Sequence, residues 1–451
     1  MKRLTFLGTP FLIQSESILW LISITLVIMI TTQSSVFAQD WDDPRWQMNL
    51  DTAAIAPYEL PDPMVLNDGT RVTTIQEWEN QRRPEILNLL ENTLFGIVPS
   101  GGVRSRTEIL SHDPTALNGS ALRREIRIHL ATEIDSIQID VLIYTPVQTE
   151  GSVPTFLGLN YFGNHTIGFD PDVQVGQGWV ENYEPFDINQ NKSNERSRGS
   201  VADRWPVEEI ISRGYGLVTA TYGEIDPDYH DGFKNGAHAL FSEHEDPRAP
   251  DAWGSLAAWA WGLSRIMDVL ETDSIVDPTR VALIGHSRLG RTAAWAGARD
   301  PRFAMVIANN GLGALFKRNY GETYWQVINK FPHWFASGAK SYENTPDELP
   351  VDNHLTLSLI APRPFYLGTA SEDPWANPTG EFLAAKAAES VWFLYGLEVQ
   401  LPDECPLPGE AIKKGSIGFH VREGLHNITS WDWAHYLDFA DLHLKGLSSN
   451  N

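Results

Sequence analysis

From residue 253 onwards, short apolar runs alternate with longer amphipathic patterns. Apolar runs of four to eight residues bounded by turn residues predict buried strands, and apolar positions spaced three and four apart predict helices. The predicted strands cover residues 281–284, 303–310, 363–370 and 415–424, and the predicted helices cover 253–270, 292–298, 380–396 and 430–446. Strands and helices that alternate in this order predict a mostly parallel sheet covered by helices on both faces, a three-layer α/β sandwich.

The first half of the chain has a different pattern. Residues 78–96 predict one helix, and the alternating segments 122–131 and 136–146 predict a hairpin of antiparallel strands. The apolar segments 155–160 and 214–222 predict buried strands, each followed by a long polar stretch that is typical of loops. We therefore expect one α/β domain over residues 39–451, with residues 39–105 as an N-terminal extension and with antiparallel strands preceding the parallel ones.

The N-terminus has the pattern of a signal peptide. Lys2 and Arg3 precede the apolar run ILWLISITLVIMI, which is followed by a small-residue cleavage pattern, Val36-Phe37-Ala38. That run of about 13 residues is shorter than the roughly 20 that a membrane-spanning helix needs. The pattern predicts a signal peptide over residues 1–38 and a secreted or periplasmic protein, free of the membrane after cleavage. An uncleaved membrane anchor is the alternative.

Composition narrows the function classes. The chain has 451 residues with 58 acidic and 34 basic side chains, a net charge of −24 that argues against a nucleic-acid partner. Its one cysteine, Cys405, excludes an intramolecular disulfide. The zinc-binding patterns CxxC and HExxH are absent from the sequence, so no metal or other cofactor is predicted. The 16 tryptophans fit either core packing or sugar stacking.

The most informative segment is VALIGHSRLGR, residues 281–291. An apolar strand ends at Gly285, Ser287 stands at the tip of a sharp turn, and a helix of small residues follows. This is the pattern of a nucleophile elbow, in which the serine hydroxyl projects above the sheet of an α/β-hydrolase. The spacing is G-x-S-R-x-G instead of G-x-S-x-G, and an ordinary structural turn is the alternative.

The remaining members of a catalytic triad follow in the order that this fold requires, Ser, acid, His. His426 comes directly after the predicted strand 415–424, where an imidazole can accept the proton of Ser287; a core or helix-capping histidine is the alternative. Asp373 and Glu372 both follow strand 363–370. We favour Asp373 as the acid, because a short carboxylate in a tight turn suits a fixed contact with the imidazole.

Two arginines accompany the serine. Arg288 directly follows it, so its backbone N–H and its guanidinium are candidates for oxyanion stabilisation, with a salt bridge to a nearby carboxylate as the alternative. Arg291 lies one helical turn from Ser287 on the same face and is a candidate substrate contact.

Several segments together resemble the glucuronoyl esterases, carbohydrate esterases of family 15 that cleave esters between xylan glucuronate and lignin alcohols. The resemblance covers most of the predicted mature chain and rests on the following stretches: RRPEIL, LGLNYFGNHT, RGYGLVTATYGEIDPD, WAWGLSRIMD, GHSRLG, RFAMVIANN, GETYWQVINKFPHWF, LPVDNHL, LIAPRPFYL and DPWANPTGEF.

The resemblance implies roles for individual residues. It implies Ser287 as nucleophile, His426 as base and Arg288 as oxyanion stabiliser. Arg291 stands where the family usually has a lysine that contacts the sugar. The resemblance also implies that Glu322 and Trp375 line the glucuronate pocket, and His286 and His333 lie in matching motifs.

One position departs from the family pattern. Many members carry the triad acid as a glutamate on the strand after the nucleophile helix, and Asn310 stands at that position here. An amide cannot stabilise an imidazolium as a carboxylate does. We therefore expect the acid function to rest wholly on Asp373, with impaired activity as the alternative.

The sequence predicts a serine-type glucuronoyl esterase that acts as a monomer on glucuronate esters of xylan and lignin. An acetyl xylan esterase, or another carbohydrate esterase, is the alternative among enzymes. A non-catalytic glycan-binding pseudo-esterase is the alternative from another class, suggested by Asn310 and the tryptophans.

Overall fold

The computed structural model describes residues 43–147, 151–241, 248–312 and 315–446. The predicted signal peptide, residues 1–38, lies outside the described residues. The chain divides between Gln47 and Met48, and the described residues after that point belong to one compact unit. Of the preceding residues, Pro44–Trp46 form a single 3₁₀ turn. None of the helices in the described ranges combines the length and apolarity needed to cross a bilayer.

Ten strands of the described residues form one mixed sheet in the order β1-β2-β3-β5-β4-β6-β7-β8-β10-β9. The strands from β5 to β10 in this order run parallel, as the sequence predicts, and the pairs β1–β2, β2–β3, β3–β5 and β9–β10 are antiparallel. Their bounds are β1 Arg104–Thr115, β2 Ala121–Ala131, β3 Ser136–Pro146, β4 Val153–Asn160, β5 Gly216–Thr221, β6 Val276–His286, β7 Met305–Asn309, β8 Phe365–Ala370, β9 Ala411–Ile412 and β10 Ile417–Arg422.

The α-helices of six or more residues cover both faces of this sheet. They are α1 Arg83–Leu90, α2 Val207–Ser212, α3 Ser255–Leu270, α4 Arg288–Arg299, α5 Tyr324–Lys330, α6 Asn353–Ser358, α7 Pro378–Leu394 and α8 Ser430–Leu444. Single α-helical turns lie at Ile75–Glu77, Tyr222–Ile225 and Gly236–Ala239, and the π-helical turns Trp78–Arg82 and Glu91–Phe95 flank α1. Residues Ala116–Gly119 form the turn between β1 and β2, with left-handed backbone angles at Leu117 and Asn118. The predicted helix over 78–96 is therefore present as one helical stretch with π-type turns at both ends.

The core lies in two apolar layers, one on each face of the sheet. Helices α3, α4 and α7 contribute Trp259, Trp295 and Trp392 to one layer, and α8 contributes Trp433 and Tyr436 to the other. All five side chains are fully buried. At least these four tryptophans therefore pack the core instead of presenting a surface for sugars.

Strand β1 is the largest element that the sequence pattern does not predict. Its residues are exposed or half-buried throughout. A strand at the edge of a sheet with little buried surface has no need for alternating apolar residues, so the periodicity that predicts β2 and β3 is missing here.

Six parallel strands bring their carboxyl ends to the same edge of the sheet. At that edge β6 ends at His286, β7 at Asn309, β8 at Ala370 and β10 at Arg422. The residues that follow these four strands include Ser287, Asn310, Asp373 and His426. The topology therefore collects the sequence-predicted catalytic side chains at one edge, as is usual for ligand sites of α/β sheets.

Candidate active site

Ser287 occupies the turn between β6 and α4 in a strained conformation. Its backbone has φ 57° and ψ −134°, a region that is costly for a residue with a side chain. The turn is tight because Gly285 lies against the backbone of Leu289, where an added Cβ would overlap the Leu289 carbonyl. The Ser287 N–H donates to the Asn309 carbonyl at 2.9 Å, which fastens the turn to the neighbouring strand. This geometry is that of a nucleophile elbow.

His426 and Asp373 form an acid–base pair in the loops after β10 and β8. The imidazole Nδ1 donates to Asp373 Oδ2 at 2.5 Å, while the His426 side chain remains 39% exposed and that of Asp373 only 3%. Burial by itself raises the pKa of Asp373, but the hydrogen bond and charge of His426, with N–H donors from Ala376 and Asn310, hold it below its ordinary value. An ionised Asp373 directs the Nδ1 proton and leaves Nε2 free to accept one.

The neighbouring carboxylate, Glu372, does not share this environment. Its side chain is exposed, and its backbone N–H donates to the Gly424 carbonyl. Of the two carboxylates that the sequence offers, Asp373 is therefore the one in contact with His426.

Asn310, which replaces the glutamate expected from the family pattern, is in contact with the same acid. It follows β7 with φ 45°, and its Nδ2 donates to Asp373 Oδ2 at 3.0 Å. The amide therefore supports the carboxylate of Asp373, and because an amide is neutral it cannot replace that carboxylate as an anionic partner of the imidazole.

The Arg288 guanidinium is held by two carboxylates and three aromatic rings. Its Nη1 forms a short ion pair with Asp228 and lies 3.5 Å from Glu181. The guanidinium carbon lies 5.8, 5.6 and 5.1 Å from the ring centroids of Tyr161, Phe331 and Trp334, within cation–π range. The salt bridge that the sequence leaves open as an alternative is thus present, and it fixes the position of the guanidinium.

Asp228 is the residue that organises this cluster, and no pattern in the sequence selects it. It also accepts hydrogen bonds from His333 Nε2 at 2.8 Å and from Trp334 Nε1 at 2.7 Å. Burial opposes its ionisation, but the charge of Arg288 and these donors lower the pKa of Asp228 to about 2. The segment GEIDPD contains Asp228 and was the available signal in the sequence. The partners of Asp228 lie far along the chain, Arg288 at 60 positions and His333 and Trp334 at about 105.

Arg291 and Glu322 form a second ion pair near the elbow. Arg291 Nη2 lies 2.9 Å from Glu322 Oε2, and the two side chains are 5% and 6% exposed. Arg291 Nε donates to the Leu312 carbonyl at 3.1 Å, and within the described part of the chain its buried Nη1 has no hydrogen-bond partner. Trp375 adjoins this pair, since its carbonyl accepts the Glu322 N–H at 3.1 Å. The three residues that the resemblance assigns to the substrate pocket are therefore neighbours.

Tyr161 contributes a hydroxyl at the elbow. It donates to the His286 carbonyl at 2.6 Å, and burial raises its pKa to about 12, so the phenol stays neutral. Among the described residues, no group of three or more histidine, cysteine or carboxylate side chains could hold a metal ion.

Comparisons with known proteins find carbohydrate esterases and glucuronoyl esterases. The family model for fungal glucuronyl esterases matches residues 235–396. A carbohydrate esterase of an unknown prokaryotic organism is 42% identical over 432 residues, which is 93% of this chain and 98% of that protein. The 4-O-methyl-glucuronoyl methylesterase of Schizophyllum commune is 25% identical over 83% of this chain and 82% of its own.

Solved structures include similar proteins. A promiscuous family 15 esterase from a marine bacterial metagenome superimposes with a TM-score of 0.82 at 42% identity, covering 88% of this chain and all of that one. A glucuronoyl esterase from Solibacter usitatus gives a TM-score of 0.81 at 40% identity, covering 87% and 100%. With an α/β-hydrolase fold and these relatives across most of its length, the chain belongs to the glucuronoyl esterases of carbohydrate esterase family 15, which are carboxylic ester hydrolases.

Proposed function

We propose that the protein is an exported serine esterase that hydrolyses esters between glucuronate side groups of xylan and lignin alcohols. The observation that carries the proposal is the 2.5 Å contact between His426 Nδ1 and Asp373 Oδ2 beside the strained turn at Ser287. A buried carboxylate, an imidazole and an elbow serine are the parts that acyl transfer needs.

In the first half of the reaction, Ser287 Oγ attacks the ester carbonyl carbon while His426 Nε2 takes the hydroxyl proton. Asp373 holds the imidazole in the required tautomer and stabilises the imidazolium. The tetrahedral intermediate then collapses, the bond to the alcohol oxygen breaks, and His426 returns the proton to the leaving alcohol. Water, activated by the same imidazole, releases glucuronate and restores the serine.

Arg288 supplies the stabilisation of the oxyanion. Its backbone N–H lies at the start of α4, where the helix dipole favours negative charge. Its guanidinium cannot swing freely, because Asp228, Glu181 and the ring of Trp334 hold it. A donor that is already fixed loses little conformational entropy when charge develops on the substrate, which is the condition for strong transition-state stabilisation.

The substrate contacts follow from hydrogen-bonding capacity more than from net charge. Both Arg288 and Arg291 have carboxylate partners, so neither offers an uncompensated positive charge. Arg291 Nη1 is a buried donor without a partner among the described residues, and Glu322 can accept from a hydroxyl. A hydroxyl-rich sugar ring that packs on Trp375 would satisfy both groups, whereas an acetyl group alone would leave them unsatisfied.

Activity on a benzyl glucuronate ester, measured beside an acetylated xylose, tests this proposal. We expect kcat/KM for the uronate ester to exceed that for the acetyl ester by at least tenfold. The opposite ranking would favour an acetyl esterase; one of the relatives, the family 15 esterase from a marine metagenome, is promiscuous.

Covalent labelling separates an enzyme from a pseudo-esterase. A fluorophosphonate should label Ser287 in the wild-type protein and leave the Ser287→Ala variant unlabelled. Folded wild-type protein that resists labelling would refute the catalytic proposal.

The proposal includes export and a monomeric state. The signal-peptide pattern over residues 1–38 supports export. Expression of the full chain, followed by N-terminal sequencing of the product outside the cytoplasm, should give a chain that begins at Gln39. Light scattering of that product should give the mass of one chain.

A further inference from the structure

His286 immediately precedes Ser287, and the proposed mechanism gives its side chain no part. Its ring lies against that of His426, with 4.7 Å between the two ring centroids and an angle of 38° between the ring planes. His286 is only 9% exposed, whereas the His426 side chain is 39% exposed. His286 is therefore the buried partner of a ring contact to the proposed base.

The hydrogen bond from His426 to Asp373 fixes one ring nitrogen but not the plane of the ring. An imidazole held at Nδ1 alone can still turn about that contact and move Nε2 away from the serine. A flat side chain packed against the ring restricts that rotation, and aromatic pairs at such distances attract each other. His286 provides that surface next to the serine itself.

His286 is fixed in turn by the neighbouring strand. The last residues of β6 and β7 are paired in register, and His286 Nδ1 lies 2.7 Å from Asn309 Oδ1. Asn309 Nδ2 donates to the Tyr436 hydroxyl at 2.7 Å and lies 3.5 Å from Asp432 Oδ1. A carboxylate only accepts, so the amide nitrogen faces Asp432 and the amide oxygen faces His286. The proton of a neutral His286 is therefore on Nδ1.

The contacts that run from His286 through Asn309 to Tyr436 and Asp432 form a network. Its end at Asp432 anchors the loop that carries His426. Asp432 lies 2.9 Å from His420 Nε2 and 3.0 Å from Arg422 Nε, and it accepts the Thr429 N–H at 2.7 Å. His420 and Arg422 belong to β10, and Thr429 and Asp432 stand at the start of α8. The network thus connects both ends of the loop 423–429 to the residue beside the nucleophile.

The surroundings of His286 also keep its ring neutral. Burial, the neighbouring His426 and the charge of Arg204 hold the pKa of His286 well below its ordinary value. A neutral ring can lie against the His426 imidazolium without the repulsion that a second cation would cause.

We propose that His286 is a positioning residue, which holds the ring of His426 in the plane that reaches Ser287 and is itself fixed by Asn309, Tyr436 and Asp432. The inference rests on the proposed role of His426 as the base.

Three substitutions at His286 test the ring contact. His286→Phe keeps a flat ring, His286→Leu fills the space without one, and His286→Ala leaves it open beside a small cavity lined by Tyr161, Arg204 and Trp433. We expect His286→Ala and His286→Leu to lower kcat by about 10- to 100-fold, the range in which a small misplacement of a catalytic group is felt. KM should stay within about twofold. His286→Phe keeps the ring contact but loses the hydrogen bond to Asn309, so it should lower kcat by about two- to fivefold, less than either of the other variants.

Two further measurements separate positioning from folding and from the proposed function. Thermal unfolding should be cooperative for all three variants, and His286→Leu keeps the test valid if His286→Ala does not fold. Fluorophosphonate labelling of Ser287 should slow in parallel with kcat, independent of which ester is the substrate.

The outcomes are distinct. Full kcat in His286→Leu, or a loss in His286→Phe as large as in His286→Leu, would overturn the positioning role. A Tyr436→Phe variant with unchanged kcat would overturn the part of the network beyond Asn309, since a two- to fivefold loss is expected. Full activity of His426→Ala would instead overturn the proposed function on which the inference depends.

Discussion

Replacing Asp373 by asparagine removes one charge from the site and changes almost nothing else in its shape. The Oδ2 atom accepts from His426 Nδ1 at 2.5 Å and from Asn310 Nδ2 at 3.0 Å, and Oδ1 accepts from the Ala376 N–H at 3.1 Å. An amide has one oxygen, so it must turn its NH₂ group towards one of these sets of donors. The orientation that satisfies two donors directs the oxygen towards His426 and the NH₂ group towards Ala376.

In that orientation the imidazole keeps its tautomer and loses only the carboxylate charge. Two unit charges about 4 Å apart interact by about 4 kcal/mol at an effective dielectric constant of about 20. Because the His426 side chain is 39% exposed, solvent weakens the interaction between the Asp373 carboxylate and the imidazolium, and about 2–4 kcal/mol of it remains. We therefore expect Asp373→Asn to lower kcat by about 30- to 1,000-fold.

The assay is steady-state hydrolysis of a benzyl glucuronate ester at pH 7, with kcat and KM determined separately. Asn310→Ala is the comparison, since it removes one donor to Asp373 and leaves the charge, and we expect a loss in kcat of less than tenfold. Glu372→Gln is the matched control, because it removes the neighbouring, exposed carboxylate and should leave kcat unchanged. A larger effect of Asn310→Ala than of Asp373→Asn would refute the assignment of the acid.

The remaining predictions concern the two ion pairs and one buried carboxylate. Arg288→Ala should lower kcat about 100- to 1,000-fold, the usual cost of one oxyanion donor. Asp228→Asn should lower kcat about tenfold, because the Arg288 guanidinium loses one of the groups that hold it. Steady-state kinetics of both variants checks that Arg288→Ala has the larger effect. Glu322→Gln should lower the free energy of unfolding by about 3–5 kcal/mol, because Arg291 is left as a buried charge, and urea denaturation measures it. Burial and the charge of Asp140 raise the pKa of Glu224 from 4.5 to about 8, so its folded form binds a proton that the unfolded form has lost. The free energy of unfolding should therefore fall by about 3–5 kcal/mol as the pH rises from about 4.5 to about 8. Urea denaturation at pH 5 and pH 8.5 measures this fall, which should be absent in Glu224→Gln.

The sequence alone predicts the parallel part of the sheet and its helices, because burial on both faces imposes long apolar patterns on those segments. It does not predict β1, whose exposed residues carry no such pattern. It also does not select Asp228, since a carboxylate in a polar loop has no local feature that shows which arginine, histidine or tryptophan it meets.

The candidate site also has features that the sequence predicts and features that it does not. The elbow at Ser287 is a local feature, a strand, a tight glycine turn and a helix, and the order Ser, acid, His follows from the order of the strands. The sequence by itself determined the elbow and this order. Three other features depend on side chains from strands and loops far apart in the chain. They are the contact of Asp373 instead of Glu372 with His426, the support that Asn310 gives to the acid, and the packing of His286 on the imidazole. Only the tertiary structure decided them, because such contacts are set by how the loops after β6, β7, β8 and β10 meet at one edge of the sheet.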